Sequence, residues 1–208
     1  FQKCSGNFFK NRAEFCGAWL RVSNFAGQFI SNSTLSTPKN RRTSRLENCQ
    51  FSFGRKQIKN DDHTPQTFLH FEGIVRYCRF EMQDEFDAFG KAHPQIIVHG
   101  GEIKSIIDKC IFRITGKMKV TGNVQLSSCE FENCTVLDGS LLTIASVNDC
   151  KVENCKFHQC ICREVLAFIG TPKERGKPVC TIENNKFYEC IAEQIICGAR
   201  RINKTSAK

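Results

Sequence analysis

Six copies of one short phrase constrain this chain more than anything else in it. Cys-x-Phe recurs as Cys49-Gln50-Phe51, Cys78-Arg79-Phe80, Cys110-Ile111-Phe112, Cys129-Glu130-Phe131 and Cys155-Lys156-Phe157, and Asn185-Lys186-Phe187 repeats it with Asn in the Cys place. From Phe to Phe the steps are 29, 32, 19, 26 and 30 residues. Spacing so uneven implies a constant strand core joined by loops of varying length, as in repeat folds.

The last copies align well beyond the triplet. Cys150, Val152, Asn154, Phe157 and Cys160 reappear 30 residues on as Cys180, Ile182, Asn184, Phe187 and Cys190. Shifted back 26 residues, they fall on Val124, Leu126, Ser128, Phe131 and Cys134. Within a copy, Val152, Cys155 and Phe157 take one side while Lys151, Glu153 and Lys156 take the other, the alternation of a strand with one buried face. Asn154 interrupts that alternation and reads as a corner, since Asn tolerates left-handed backbone.

Second strands are expected at Thr67-Phe68-Leu69-His70-Phe71, Gln95-Ile96-Ile97-Val98, Lys117-Met118-Lys119-Val120, Leu141-Leu142-Thr143-Ile144, Val165-Leu166-Ala167-Phe168-Ile169 and Ile195-Ile196-Cys197. Helix start and stop signals are absent. The pattern predicts an all-β, right-handed parallel β-helix of about six to seven coils. Stacked about 4.8 Å apart, coils that cannot bury an apolar face alone share one core. Its structural ladders are Cys49, Cys78, Cys110, Cys129 and Cys155, and Phe51, Phe80, Phe112, Phe131, Phe157 and Phe187. The β-helix is expected over 46–198, after an atypical coil and basic loop at 1–45 and before a polar tail at 199–208.

Composition agrees with a repeated interior: 18 Phe stand against 2 Tyr and 1 Trp. The 14 Cys fall in register with Phe, which favours buried thiols over a disulfide framework. No apolar run approaches the roughly 20 residues of a membrane span. The chain opens on Phe1 without a recognisable leader, which reads as a fragment boundary. The net charge of +9 gathers at Lys39 to Arg45, Lys173 to Lys177 and Arg200-Arg201. Solvated loops are one reading, and a surface for anionic polymers such as acidic glycans is the other. Nucleic acid is not expected, because the aromatics sit at core positions rather than among the basic ones.

The phrases Glu153-Asn154-Cys155-Lys156-Phe157-His158-Gln159-Cys160 and Glu183-Asn184-Asn185-Lys186-Phe187-Tyr188-Glu189-Cys190 resemble repeats of right-handed β-helix proteins. They are similar to those of adhesin-like, polymorphic-outer-membrane-protein-like surface proteins of trichomonad-type protists. The resemblance covers roughly 46–198 and implies a surface or secreted protein without assigned chemistry. Asp138-Gly139-Ser140-Leu141 is the nearest match to the Gly-Gly-Ala-Ile signature of such repeats.

Catalytic candidates are weak. Asp61-Asp62-His63, His99-Gly100-Gly101 and Arg201-Ile202-Asn203 echo a polygalacturonase-like set, but glycosidic acid–base work needs two carboxylates facing each other. No acids are expected to stack on one face in adjacent coils. Asp84, Glu85 and Asp87 with Asp108 could suggest a calcium-dependent lyase, against a plain solvated acidic loop. Asp61, Asp62, Asp84 and Asp87 therefore form the polar cluster to follow. Cys129-x4-Cys134 and Cys155-x4-Cys160-x-Cys162 follow the repeat rather than zinc spacing. No catalytic, cofactor or metal residues are assigned. Asn32, Asn133 and Asn203 match the N-glycosylation sequon, and Asn133 lies inside a repeat where a glycan would be awkward.

The expected function is a non-enzymatic surface or secreted scaffold presenting a binding or adhesive face to carbohydrate or a cell-surface partner. The alternatives are a polysaccharide-active enzyme or degenerate relative, and a structural segment of a longer β-helix continuing end to end.

Overall fold

A computed structural model describes residues 9–10, 14–16, 19–23, 30–31, 44–55, 69–84, 94–137, 139–145, 150–168, 180–197 and 206–207. Every regular element among them is a strand, and every pairing is parallel. Strands wind into a β-solenoid. One complete turn shows the plan: Cys150–Glu153, a corner at Asn154, Lys156–His158, a corner at Gln159, then Ile161–Phe168.

The Phe triplets build one sheet of eight strands. From end to end these are Trp19–Ser23 (β1), Gln50–Arg55 (β2), Arg79–Asp84 (β3), Ile111–Ile114 (β4), Glu130–Glu132 (β5), Lys156–His158 (β6), Lys186–Tyr188 (β7) and Ser206–Ala207 (β8). The count differs slightly from the six to seven coils expected, because Trp19–Ser23 and Ser206–Ala207 add a level at each end of the six Phe rungs. The first matches the atypical coil expected within 1–45, and the second falls in the expected polar tail; neither carries the triplet.

The remaining strands form a second sheet with two arms, joined where Pro94–Asp108 and Lys117–Ser127 run through both. These two strands are longer than the four-residue runs expected there, because no loop separates the arms at those levels. The bend is tight. Gly122 has φ +77°, and a Cβ there would lie 1.9 Å from the Gly100 carbonyl oxygen. A Cβ on Gly100 would lie 1.8 Å from the Asn123 oxygen, so the backbones themselves are in contact at this corner.

Stacking at strand spacing turns each repeat position into a column. Phe51, Phe80, Phe112, Phe131, Phe157 and Phe187 form a continuous ring stack, with centroids 5.1, 5.1, 4.9, 4.7 and 4.9 Å apart. All six are buried. A second apolar column runs Leu46, Val75, Ile107, Leu126, Val152, Ile182 through one arm. A third, Ile96, Met118, Leu142, Leu166, Ile196, fills the other. Non-directional burial alone would allow many packings; the columns are fixed because backbone hydrogen bonds set both spacing and register.

Eleven cysteines whose side chains are described are free thiols, nine of them buried. Cys78 Sγ donates to the carbonyls of Arg76 and Leu46, at 3.2 and 3.3 Å. Cys110, Cys129 and Cys155 repeat the bond to the residue two before, at 3.3 Å each. Cys134, Cys160 and Cys190 make a parallel column after the next corner. A thiol suits this position because it fills apolar space while offering one weak donor to a carbonyl.

Candidate functional site

The corners carry the outermost backbone. Asn48, Tyr77, Lys109, Ser128, Asn154 and Asn184 occupy one corner column, all with φ between 52° and 55°. Their N–H groups reach along the stack: Asn48 N to Arg76 O, Tyr77 N to Asp108 O, Lys109 N to Ser127 O, Ser128 N to Glu153 O and Asn154 N to Glu183 O, at 3.0–3.1 Å. The expected left-handed Asn corner is thus present, and it admits other residues too. A second left-handed corner at Asn133, Gln159 and Glu189 was not anticipated, since Gln and Glu give no sequence signal for that conformation. Asn133 is exposed there, so its place inside the repeat does not bury it.

Tyr77 departs from its neighbours in the column. Its ring is 52 % exposed, and Lys109 Nζ lies 5.2 Å from the ring centroid and 3.3 Å from the hydroxyl. Beside it, the Nε of Arg76 is buried with no hydrogen-bond partner among the described residues.

Outward side chains of the Phe sheet form two charged columns. Arg79 pairs with Glu81 at 2.7 Å, Arg113 bridges Glu81 and Glu132 at 3.5 and 2.7 Å, and Lys156 meets Glu130 at 2.6 Å. On the neighbouring arm Glu153 takes Lys151 at 2.6 Å and the Gln125 amide at 2.8 Å, while Ser127 donates to Asp108. Glu153 and Glu183 lie directly in register on adjacent rungs, which corrects the expectation that no acids stack on one face. Each precedes a corner Asn, 30 residues apart in the aligned copies, so the offset already contained the signal. The paired glutamates flank Lys151 and share a solvent-facing arm rather than opposing each other.

Of the polar cluster singled out by sequence, Asp84 closes β3 in register with Arg55. Asp61, Asp62 and Asp87 lie outside the described residues, as do His63 and Arg201 to Asn203. His99 pairs its Nδ1 with the Thr121 hydroxyl at 2.8 Å on the next rung. Its carbonyl accepts from the buried Ser105 hydroxyl at 2.6 Å, so this His-Gly-Gly phrase is tied into the bend between the arms. No group of three or more His, Cys, Asp or Glu among the described residues could hold a metal ion. No described helix is long and apolar enough to cross a membrane.

Most of the column thiols are held protonated; Cys110 is the exception, since burial pushes it up but hydrogen bonds from the Cys129 and Cys78 thiols outweigh that and bring it down. Hydrogen bonding to Cys110 pushes the Cys78 thiol up, burial does the same for Cys129, and burial pushes Cys162 up to about 12. A nucleophilic cysteine needs the opposite, a thiolate stabilised by nearby positive charge. Comparison with protein-family models, with curated proteins and with solved structures finds no match for this chain.

Proposed function

We propose that this chain is a non-enzymatic surface or secreted β-solenoid scaffold whose outer faces bind an extended partner, in the manner of the adhesin-like proteins its repeats resemble. The observation that carries the reading is the outward array itself. Arg79, Glu81, Arg113, Glu130, Glu132 and Lys156 stand on successive rungs of one sheet, joined in ion pairs. Such an array repeats charged and hydrogen-bonding groups at strand spacing of about 4.8 Å. A chain-like ligand meets it rung after rung, adding contacts without needing a deep pocket. Glycans and elongated partner surfaces have that form. The test is retention of the protein on a panel of immobilised acidic and neutral polysaccharides. Retention without release of new chain ends supports the scaffold, and release of chain ends overturns its non-enzymatic character.

A polysaccharide-active enzyme, or a degenerate relative, draws on the registered pair Glu153 and Glu183. These two carboxylates stand side by side on one arm rather than across a bond, so this reading needs a substrate that bends over the pair. On that reading, chain-end release disappears in Glu183→Gln; release that survives the substitution removes this pair from the chemistry. A structural segment of a longer solenoid draws on the half-buried core positions Cys190, Ala192, Ile195 and Ile196 of the last Phe rung. Concentration-dependent association in light scattering supports it, and a constant mass weighs against it.

A further inference from the structure

The six corner positions of one column share the same left-handed backbone, yet they do not share a residue type. Four hold short polar side chains: Asn48, Ser128, Asn154 and Asn184. The other two, Tyr77 and Lys109, are large, and a bulky residue at positive φ is strained where Asn would be at ease. These two exceptions stand on consecutive rungs and touch each other, ammonium to hydroxyl at 3.3 Å. Core packing does not account for the tyrosine, because its ring is 52 % exposed while the neighbouring Phe rings are fully buried. Strain kept at an exposed site points to a role beyond folding.

The surroundings specify the chemistry. An open aromatic face offers a platform for a ring with an apolar side, and a cation already sits against it. Arg76, one residue before the tyrosine, keeps a buried Nε unpartnered among the described residues. The acids in register with it are Glu47 and Asp108, and Asp108 is occupied by the Ser127 hydroxyl at 2.9 Å. An aromatic platform and an ammonium therefore meet at one corner, with the Arg76 cation next to it in the chain.

We propose that the Tyr77–Lys109 corner, with Arg76 beside it, is a docking site for an acidic sugar residue of a polysaccharide, a uronate or a sulfated sugar. The sugar's C–H face stacks on the Tyr77 ring, and its carboxylate or sulfate takes the Lys109 ammonium, with the Arg76 charge adding to the attraction from the adjacent position in the chain. This rests on the scaffold reading and names the ligand class for one place on it. Rungs beyond the corner extend the contact along the polymer, but the selectivity for ring and charge together resides here.

The experiment measures binding of the full chain to immobilised polygalacturonate, dextran sulfate, neutral dextran and polyphosphate, at low and moderate salt. The unaltered chain, Tyr77→Asn and Lys109→Asn are compared, with thermal midpoints recorded for all three. Expected are preference for the two acidic polysaccharides over neutral dextran and over ring-free polyphosphate, and at least a tenfold loss in Tyr77→Asn. That variant keeps or raises its thermal midpoint, because Asn suits the left-handed corner. In Lys109→Asn, affinity falls and depends less on salt. Unchanged affinity in Tyr77→Asn overturns the corner and leaves the scaffold standing. Equal binding to polyphosphate or to neutral dextran overturns the acidic-sugar assignment. A midpoint that falls together with affinity in Tyr77→Asn makes the tyrosine structural and also overturns it. No binding of the unaltered chain to any polysaccharide removes both the corner and the glycan form of the scaffold reading.

Discussion

Asn185 stands where every other Phe rung places a thiol, and it is fully buried. Its Oδ1 accepts from the Cys155 N–H at 2.8 Å and its amide donates to the Val152 carbonyl at 2.9 Å. An amide there bonds two backbone groups of the previous rung, where a thiol offers one weak donor. Asn185→Ala strands both partners, and the expected cost is about 1–3 kcal/mol in denaturant unfolding; an unchanged midpoint would remove the amide's role. Phe131 sits mid-stack between rings 4.9 and 4.7 Å away, so Phe131→Ala is expected to lose about 3–5 kcal/mol. The thiols add a pH dependence. Cys78, Cys129, Cys160, Cys162, Cys180 and Cys190 all have raised pKa values, through bonds to neighbouring thiols or through burial. The unfolded chain releases these protons near the ordinary thiol pKa of about 8.5, and the folded chain holds them higher. The contribution of these six thiols is therefore full below about pH 8.5 and declines as pH rises toward 12 and beyond, while the lowered Cys110 works in the opposite sense. A thermal midpoint that is flat across that alkaline range contradicts this account. Among single residues, Phe and Cys were legible because their repetition is chemical; Asn185 read as a mere variant because its two hydrogen bonds exist only across rungs.

Whole strands were legible where a residue alternates between core and solvent. The predicted Leu141 to Ile144 strand appears within Ser140–Ala145, and Ile195 to Cys197 within Ile191–Cys197. The second of these starts well before the predicted run because the corner at Glu189 delivers the chain directly into it, with no spacer. The arms' junction was less legible. Gly100 and Gly122 look like ordinary turn glycines in sequence, and only the approach of two backbones shows why no side chain fits. Gly122→Ala combines that clash with a strained φ, so it is expected to destabilise by more than about 1 kcal/mol in chemical denaturation. By contrast, Glu132→Gln removes the charge opposite Arg113 on a partly exposed surface. Its expected effect is at most about 1 kcal/mol and shrinks with added salt. A large, salt-independent loss would mean the outer columns hold the solenoid together.

The molecule as a whole behaves as a stack of neighbours, since each rung touches only those above and below. Interior rungs are sealed on both sides; the last Phe rung is less so, with Cys190, Ala192, Ile195 and Ile196 only partly buried. Amide exchange should therefore be slowest through 105–132 and faster over 186–197, and uniform protection would contradict a solenoid that opens from its ends. The candidate binding surface was the least legible part. The outer residues at this corner follow no repeat rule, so the neighbourhood of Tyr77, Lys109 and Arg76 exists only once coils of 29 and 32 residues are stacked in register. The phenylalanine column has an optical consequence. Six near-parallel rings with centroids no more than 5.1 Å apart act as one coupled chromophore rather than six isolated absorbers. With 2 Tyr and 1 Trp to overlie it, that coupling gives the chain a near-ultraviolet dichroic signature of its own, extinguished when the rungs part.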